Sequence, residues 1–508
     1  MMIYRMKWSI ILMDAFISNC YHIVPYILLE TFRHACDISG SASIFSKITN
    51  ESVVKMKHSK KIMVCSLTIL CMILNACGSE GNVLEENNLE VTEATSAVEI
   101  SDAVDGSNDS SNNDDSEDTS SDTWKSAIDN LPEDFIFGMD ASSVLVEEKS
   151  GVKYYGFDGQ EQDVFKTLSE AGINYIRLRV WNDPYDENGN GYGGGNNDVP
   201  TAIELGKRAT EYGMKVCIDF HYSDFWADPK RQHAPKAWED MDVDEKSSAL
   251  YEFTKDSLTQ LLDAGVDVGM IQIGNEINNG MSGETKFENV VTLLKAGSSA
   301  IREVSAEYGK DIDIVVHYTR ITAKADVLDL VSKLCDNDLD FDMIGMSYYP
   351  FWDGGMDNMS RVLELIQERY GKKAFLAETS YAYTTEDGDG AGNSFNAGDE
   401  VAGYEASVEG QATILHDICE YVNSVGGLGI FYWEGTWIPV GPASQDNSSI
   451  WEEFGSGWAS SYAADYDPED AAVYYGGCSW DNQALFDFEG HPLESLKVFD
   501  YMRNGSDN

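Results

Sequence analysis

The sequence has few basic residues for its length. Of 508 residues, 35 are Lys or Arg and 87 are Asp or Glu, which gives a formal net charge of -52 at pH 7. So acidic a surface repels the phosphates of nucleic acids, and no nucleic-acid partner is expected. The simplest interpretation of the charge is a solvated anionic surface. A substrate of this protein is then expected to be neutral and to be recognised by stacking and hydrogen bonds.

Cysteine is also scarce in the main body of the chain. Five of the nine cysteines precede residue 80, which leaves Cys217, Cys335, Cys419 and Cys478, widely spaced and without a CxxC pair. This spacing excludes a disulfide-dense scaffold and a zinc ribbon. Cys217 and Cys419 fall in predicted elements, where a small buried thiol is expected. A disulfide among the four stays open.

Several catalytic signatures are missing. The sequence contains no HExxH metal-binding motif and no GxSxG nucleophile elbow. No Gly-rich phosphate fingerprint follows the first predicted strand, and the glycines at 193–195 follow no strand directly and are interpreted as a loop. No internal repeat is present, so a solenoid is not expected.

The amino-terminal part resembles a secretory signal. Residues 1–55 show no coherent pattern, and we interpret them as a mis-annotated upstream extension with Met56 as the true start. The basic segment 56–61 is then followed by the apolar run 62–74, which is shorter than a usual membrane span. Small residues follow this run up to Cys77, as at the cleavage site of a secretory signal. The end of this segment resembles a bacterial lipobox, which implies a lipid on Cys77. A short buried or membrane helix is the alternative.

The next stretch predicts a tether. Residues 78–123 are rich in Ser, Asn, Asp, Glu and Gly and poor in aromatics, a composition typical of disordered acidic linkers. We therefore expect a signal peptide at 56–77, a linker at 78–123 and a catalytic domain at 124–508. The protein is expected to be extracellular, anchored by lipid to a bacterial membrane, and monomeric.

After residue 124, short apolar strands alternate with amphipathic helical segments. The helical segments include 160–170, 202–212, 246–263, 290–308 and 361–369. The predicted strands are 135–140, 175–180, 215–220, 270–274, 312–316, 343–347, 374–377 and 429–433. Eight such alternations predict an α/β fold of the (β/α)8 TIM-barrel class, with an open doubly wound sheet as the alternative.

Polar and aromatic residues stand at the carboxyl end of every predicted strand. In a parallel barrel these ends lie at one face, where chemistry is placed. The residues are Asp140, Arg179, Trp181, His221, Tyr222, Asn275, Glu276, His317, Tyr348, Tyr349, Glu378 and Trp433. Any one of them is explained by hydrogen bonding in a core, but their coincidence at all eight ends predicts an active site.

Two carboxylates among aromatic residues suit glycoside hydrolysis, which needs one protonated and one ionised carboxyl. Glu276 is the better candidate for the proton donor, and the adjacent Asn275 is placed to hydrogen-bond a sugar hydroxyl. Glu378, at the end of the seventh strand, is then the nucleophile.

Neighbouring strands supply candidates for orienting the nucleophile and the sugar. Either Arg179 or Arg177 is expected to keep Glu378 ionised, together with a tyrosine of the sixth strand, for which we favour Tyr349 over Tyr348. Five tryptophans offer faces for pyranose stacking, with plain core packing equally open for each. They are Trp181, Trp226, Trp352, Trp433 and Trp437.

Seven short segments near the strand ends form a recognisable set: 177–181, 220–224, 275–276, 347–350, 377–380, 431–434 and 481–486. Together they resemble the family 53 glycoside hydrolases, the arabinogalactan endo-β-1,4-galactanases, over about residues 135–501. The resemblance implies a (β/α)8 barrel and a retaining mechanism with Glu276 as acid/base and Glu378 as nucleophile. It also implies β-1,4-galactan of type I arabinogalactan and pectin as the substrate.

A glycine-rich acidic turn follows the seventh strand. Its alternating oxygen ligands at Asp387, Asp389 and Asn393 can wrap a hard cation such as Ca²⁺, although a polar turn explains the spacing equally well. The turn resembles one in bacterial galactanases. This resemblance implies a calcium ion that joins the loops after the seventh and eighth strands, with Asp481 as a further ligand. The family pattern has a His where Ala391 stands, so this chain offers only a backbone carbonyl there.

Two other functions stay open at this point. A surface glycan-binding lipoprotein would keep the barrel without catalysis, although the presence of Glu276, Glu378 and Asn275 argues against it. A barrel glycosidase acting on another β-linked polysaccharide, such as mannan or xylan, would share the same strand-end chemistry.

Overall fold

The computed structural model describes residues 123–506, which belong to one compact unit. The predicted upstream extension, the signal segment with Cys77 and nearly all of the predicted linker lie outside these residues. The described part opens with a short 3-10 helix, Thr123–Lys125, whose Trp124 is buried against Tyr501 with ring centroids 5.6 Å apart. Between residues 123 and 506, no helix has the length and apolar character needed to cross a membrane.

Eight parallel strands close into a barrel in sequence order, which confirms the predicted (β/α)8 fold. Pairing of β1 with β8 closes the ring, with Ile136 opposite Gly429, so an open doubly wound sheet is excluded. The strands are β1 Ile136–Asp140, β2 Tyr175–Val180, β3 Lys215–Phe220, β4 Val268–Ile273, β5 Asp313–Tyr318, β6 Met343–Ser347, β7 Lys373–Thr379 and β8 Gly429–Tyr432.

Helices lie between and after the strands, and the longer ones cover the outer face of the barrel. They are α1 Val144–Lys149, α2 Val164–Glu170, α3 Val199–Glu211, α4 Val243–Asp263, α5 Phe287–Tyr308, α6 Lys324–Asp336, α7 Pro350–Asp353, α8 Met356–Tyr370, α9 Val408–Ser424, α10 Ser448–Phe454 and α11 Val498–Asn504. Helix α5 shows why they pack: Val290, Leu294 and Ile301 recur at helical spacing and are all buried. All four cysteines of the described chain are free.

The barrel interior is divided into an apolar and a polar layer. The apolar layer lies toward the amino ends of the strands and consists of Ile136, Tyr175, Cys217, Met270, Val315, Met343, Phe375, Ala377 and Phe431. Gly138 is required there, because a Cβ at this position would come within 2.3 Å of the Phe431 ring. The layer above it is polar and includes the buried side chains of Arg177, Asp219 and His317. Functional groups are therefore concentrated at the carboxyl ends of the strands.

Candidate active site

The structure brings the two predicted carboxylates together. Glu378 lies near the end of β7, and Glu276 follows β4 at a residue with φ of 47°, a left-handed conformation uncommon for a glutamate. One carboxyl oxygen of Glu276 lies within 4.8 Å of one carboxyl oxygen of Glu378. The Ser347 hydroxyl at the end of β6 lies between them, 2.6 Å from Glu276 Oε1 and 3.4 Å from Glu378 Oε2.

Arg177, and not Arg179, holds Glu378. Nη1 of Arg177 donates to Glu378 Oε1 at 3.0 Å and to Asp140 Oδ2 at 3.2 Å. Nη2 donates to Asp219 Oδ2 at 2.8 Å and to Asn275 Oδ1 at 2.9 Å. One buried guanidinium therefore fixes the nucleophile candidate relative to the amide beside Glu276. Of the two arginines that the sequence left open, Arg177 makes this contact.

Tyr349 is the tyrosine that reaches Glu378, as expected from the sequence. Its hydroxyl donates to Glu378 Oε2 at 3.0 Å, whereas the hydroxyl of Tyr348 donates to the Gly354 carbonyl at 2.7 Å. Burial raises the pKa of Glu378 to about 6, and the charge of Arg177 opposes this rise. Glu378 is thus ionised at neutral pH.

The environment of Glu276 favours its protonated form. Burial raises the pKa of Glu276 to about 8, and the charge of Glu378 contributes to this rise. The hydrogen bond from Ser347 has the opposite, smaller effect. The two carboxyls therefore differ in protonation at neutral pH, which is the difference that an acid and a nucleophile require.

A buried histidine fixes the amide of Asn275. Nδ1 of His317 lies 2.9 Å from Asn275 Oδ1, and Nε2 lies 3.0 Å from Ser347 Oγ. Burial, with the charge of Arg177 adding to it, lowers the pKa of His317 well below its usual value, so the ring is neutral. The Asn275 amide nitrogen donates to the Ala227 carbonyl at 2.8 Å.

His221 and Trp181 are buried and do not line the cleft. Nδ1 of His221 accepts from Trp181 Nε1 and from the Ala227 amide, both at 3.0 Å. Its Nε2 is therefore the protonated nitrogen and donates to Asp219 Oδ2 at 3.1 Å. Asp219 in turn holds Arg177, so this chain of contacts orients the nucleophile candidate indirectly. Trp181 is fully buried, so of the two roles that the sequence left open for it, stacking on sugar and core packing, the structure shows core packing.

A cleft of about 520 Å³ lies above the carboxylates. Of the predicted residues, Asn275, Glu276, Tyr349, Glu378, Trp226, Trp352, Trp433 and Trp437 line it. Trp352 is the most open of these four tryptophans, with 57% of its surface exposed, whereas Trp437 is 1% exposed. The cleft is therefore an open aromatic channel with both carboxyls at its floor, a form that accommodates a sugar chain.

Two further tryptophans that line the cleft, Trp458 and Trp480, were not predicted from the sequence. Both belong to the long connection after β8, which forms one wall of the cleft together with Ser479. The Trp226 Nε1 donates to the Trp458 carbonyl at 2.8 Å and joins this wall to the loop after β3. The connection is rich in tryptophan, which could have indicated a sugar-binding role. These residues do not stand at the end of a predicted strand, so the strand pattern did not place them in the cleft.

Arg179 forms a second buried pair behind the cleft. Its Nη1 donates to Glu434. Glu434 follows β8 and has a φ of 49°, in the left-handed region. Burial raises the pKa of Glu434 to about 7, opposed by the charge of Arg179. Glu434 Oε2 also accepts from the Ser143 hydroxyl at 2.9 Å. Arg179 does not line the cleft and is 1% exposed.

The predicted cation ligands partly converge. One carboxylate oxygen each from Asp387, Asp389 and Asp481 lie within 4.8 Å of one another. Asp481 is fully buried, and its Oδ1 has no hydrogen-bond partner, nor has the buried Oδ1 of Asn393. Burial, with the charges of Asp389 and Asp387 adding to it, raises the pKa of Asp481 to about 8. Oxygen donors with an unpartnered buried atom fit a hard cation such as Ca²⁺.

Fold and site define a barrel glycoside hydrolase, and the comparisons with known proteins agree. The model of "Glycosyl hydrolase family 53" matches residues 136–499. The chain therefore belongs to glycosyl hydrolase family 53.

Individual relatives give the same result. The chain is 51% identical to an endo-beta-1,4-galactanase of Bacillus subtilis over 388 residues, 76% of this chain and 90% of that protein. It is 33% identical to an arabinogalactan endo-beta-1,4-galactanase of Cellvibrio japonicus, over 61% of this chain and 82% of the relative. The solved GH53 catalytic domain of Ignisphaera aggregans is similar with a TM-score of 0.66 and 39% identity, over 74% of this chain and 99% of that domain.

Proposed function

We propose that this protein hydrolyses internal β-1,4-galactosidic bonds of galactan with retention of configuration. The observation that carries the mechanism is the pair Glu276 and Glu378, whose oxygens lie within 4.8 Å at the floor of an aromatic cleft. Retaining glycosidases hold their carboxyls at about 5–5.5 Å, whereas inverting enzymes need about 6.5–9.5 Å to admit a water. The galactan substrate is supported by the relatives, which are endo-β-1,4-galactanases.

In the first step, Glu378 attacks the anomeric carbon and Glu276 donates its proton to the departing glycosidic oxygen. Arg177 and Tyr349 contact the two oxygens of Glu378 separately and so direct one carboxylate toward the sugar. Asn275 lines the cleft beside both carboxyls and is positioned to bind the hydroxyl next to the reacting carbon. A covalent galactosyl-enzyme forms as the glycosidic bond breaks.

In the second step, Glu276 is ionised and acts as the base. It removes a proton from water, the water oxygen bonds to the anomeric carbon, and the bond to Glu378 breaks. Loss of the negative charge on Glu378 in the covalent intermediate removes a cause of the raised pKa of Glu276. The change in pKa therefore matches the change from acid to base.

The test is release of oligosaccharides from potato-type galactan by the wild-type protein and by the Glu276→Gln and Glu378→Gln variants. Each substitution is expected to lower kcat about 1,000-fold or more, because it removes the proton transfer or the covalent step. Activity on mannan or xylan but not on galactan would contradict the substrate, and an undiminished variant would contradict the mechanism. Binding without hydrolysis by the wild type would favour a glycan-binding lipoprotein.

We also propose a calcium ion held by Asp387, Asp389, Asn393 and Asp481. The support is the convergence of the three carboxylates and the unpartnered buried oxygens of Asn393 and Asp481. The bound ion would join the loop after β7 to the cleft wall, because the Asp389 carboxylate accepts from the Cys478 amide at 2.7 Å.

A lipid anchor on Cys77, with an extracellular position at the bacterial membrane, is a further proposal that rests on the sequence alone. Mass spectrometry of the amino terminus of membrane-extracted protein tests it. A diacylated Cys77 as the first residue is expected, and a mature chain that retains residues before Cys77 would contradict it.

A further inference from the structure

Arg179 is a buried cation that contacts neither Glu276 nor Glu378. Its guanidinium donates to Glu434 through Nη1 and to the Gly194 carbonyl through Nη2 at 2.6 Å. The other carboxylate nearby is Asp140, whose Oδ1 lies 3.6 Å from Nη1. Its role in the proposed reaction is therefore different from that of Arg177.

Four tryptophan rings surround this guanidinium. Cζ of Arg179 lies 4.2 Å from the ring centroid of Trp226, 5.7 Å from that of Trp181, and 5.8 Å from those of Trp433 and Trp437. A cation within about 6 Å of an aromatic centroid is attracted by the ring, most strongly when it is desolvated. Arg179 is thus in attractive contact with three rings that line the cleft.

The three cleft rings also contact one another. Trp226 stacks on Trp437 with centroids 6.3 Å apart and planes 16° apart, and its centroid is 6.1 Å from that of Trp433. Trp226, Trp433 and Trp437, which we call the tryptophan floor, line the cleft, whereas Arg179 does not. The floor therefore separates the guanidinium from the sugar-binding space.

The position of Arg179 is fixed from two sides. Glu434 is held by the Ser143 hydroxyl and balances the buried charge. On the other side, Gly194 has a φ of 59°, and a Cβ there would lie 2.9 Å from atoms of both Trp181 and Trp226. The backbone that accepts from Arg179 therefore packs directly against the same rings.

We propose that the Arg179–Glu434 pair is a positioning device that holds the tryptophan floor in the geometry that binds the galactan chain. The proposal rests on the proposed function for the identity of the sugar. Arg177 donates directly to Glu378, whereas Arg179 does not contact this carboxylate and lies against the rings of the tryptophan floor. Loss of the pair should therefore weaken binding and leave the chemical step nearly unchanged.

The experiment compares the double variant Arg179→Met/Glu434→Gln with wild type. Removing both partners avoids leaving a buried unpaired charge, which would strongly destabilise the protein. We expect KM on galactan to rise about tenfold while kcat stays within about threefold, since an enclosed cation–π contact has this magnitude. Arg179→Lys keeps a cation beside Glu434, and a smaller rise of about threefold is expected.

A direct binding readout accompanies the kinetics. Tryptophan fluorescence is titrated with β-1,4-galactotetraose, and the dissociation constant should rise about tenfold in the double variant. The matched control is Arg208→Met/Glu148→Gln. It removes an ion pair of 2.7 Å that likewise lies over an aromatic ring, that of Phe165 at 5.0 Å, but remote from the cleft lining. Unchanged KM and affinity are expected for this control.

Two results would overturn the proposal. One is a fall in kcat of about 100-fold with unchanged KM, which would mean that Arg179 acts on the carboxylates. The other is a KM and an affinity no different from those of the Arg208→Met/Glu148→Gln control. A wild-type protein inactive on galactan would contradict the proposed function instead. The same titration with xylotetraose or mannotetraose would then test the positioning role.

Discussion

At the scale of single residues, the hydroxyl of Ser347 connects the two carboxyls with His317. It lies 2.6 Å from Glu276 and 3.0 Å from His317 Nε2, and 3.4 Å from Glu378. Because the Ser347 hydroxyl donates to Glu276 and also lies within reach of Glu378, it links the protonation of one carboxyl to the position of the other. The acid and the nucleophile therefore form one hydrogen-bonded unit.

The pH dependence of activity follows from this unit. The proposed mechanism requires Glu378 ionised and Glu276 protonated, and their pKa values are about 6 and about 8. We expect kcat/KM to rise as pH increases through about 6 and to fall as it increases through about 8. Initial rates on galactan across pH 4–10 measure this.

The carboxyl that is responsible for the alkaline limb is identified by a variant. Residual activity of Glu276→Gln should lack the fall near pH 8, because the amide does not titrate. A retained alkaline limb in this variant would contradict the assignment.

Arg177 and Arg179 show where prediction from sequence stops. They are two residues apart on β2, so both side chains point to the same side of the strand, and alternation does not distinguish them. Which of them reaches Glu378 depends on the relative stagger of β2 and β7 across the barrel. Stagger is set by closure of the whole ring, and strand patterns do not contain it.

At the scale of elements, strand assignment was accurate because each strand is an apolar run with a polar end. β2, β3 and β6 have the predicted limits, and Glu276 and Glu378 stand where the strand ends predicted. The cleft wall formed by Trp458 and Trp480 has no such periodicity. Its position depends on contacts between distant loops, such as the hydrogen bond from Trp226 to Trp458.

The short helix α7 carries an exposed stacking surface, Trp352. This side chain lines the cleft and is 57% exposed, so its removal should barely alter stability. For Trp352→Ala we expect a KM on galactan higher by roughly five- to thirtyfold, the loss of one exposed ring contact of about 1–2 kcal/mol.

Tyr474→Ala is the matched control for Trp352→Ala. Tyr474 is 69% exposed but does not line the cleft. The Tyr474→Ala variant should therefore have the same KM on galactan as the wild type. Equal KM values for the two variants would show that Trp352 does not contact the chain. Steady-state kinetics and melting temperatures are measured for both.

At the scale of the whole molecule, the barrel supplies rigid strand ends, and the long loops supply the walls of the cleft. The proposed calcium site joins two of these loops. Chelation should therefore lower the melting temperature, since an ion at 100 times its Kd adds about 2.7 kcal/mol of stability. Calorimetry of chelator-stripped protein with and without Ca²⁺ measures this.

Variants assign the effect to the site. Asp481→Asn should abolish the response to calcium, whereas Asp446→Asn, an exposed acidic residue that is not among the proposed ligands, should retain it. An absence of binding heat together with an unchanged melting temperature in the wild type would rule the site out.

The backbone of Glu276 has a further consequence for the evolution of this molecule. Its φ of 47° is a conformation that glycine and asparagine adopt more readily than glutamate, and its carboxyl is desolvated beside the charge of Glu378. Both features oppose folding, and the proposed role of Glu276 as the acid accounts for their presence. Selection for thermal resistance alone would thus replace Glu276 with asparagine or glycine, and a more heat-resistant protein would emerge without its acid.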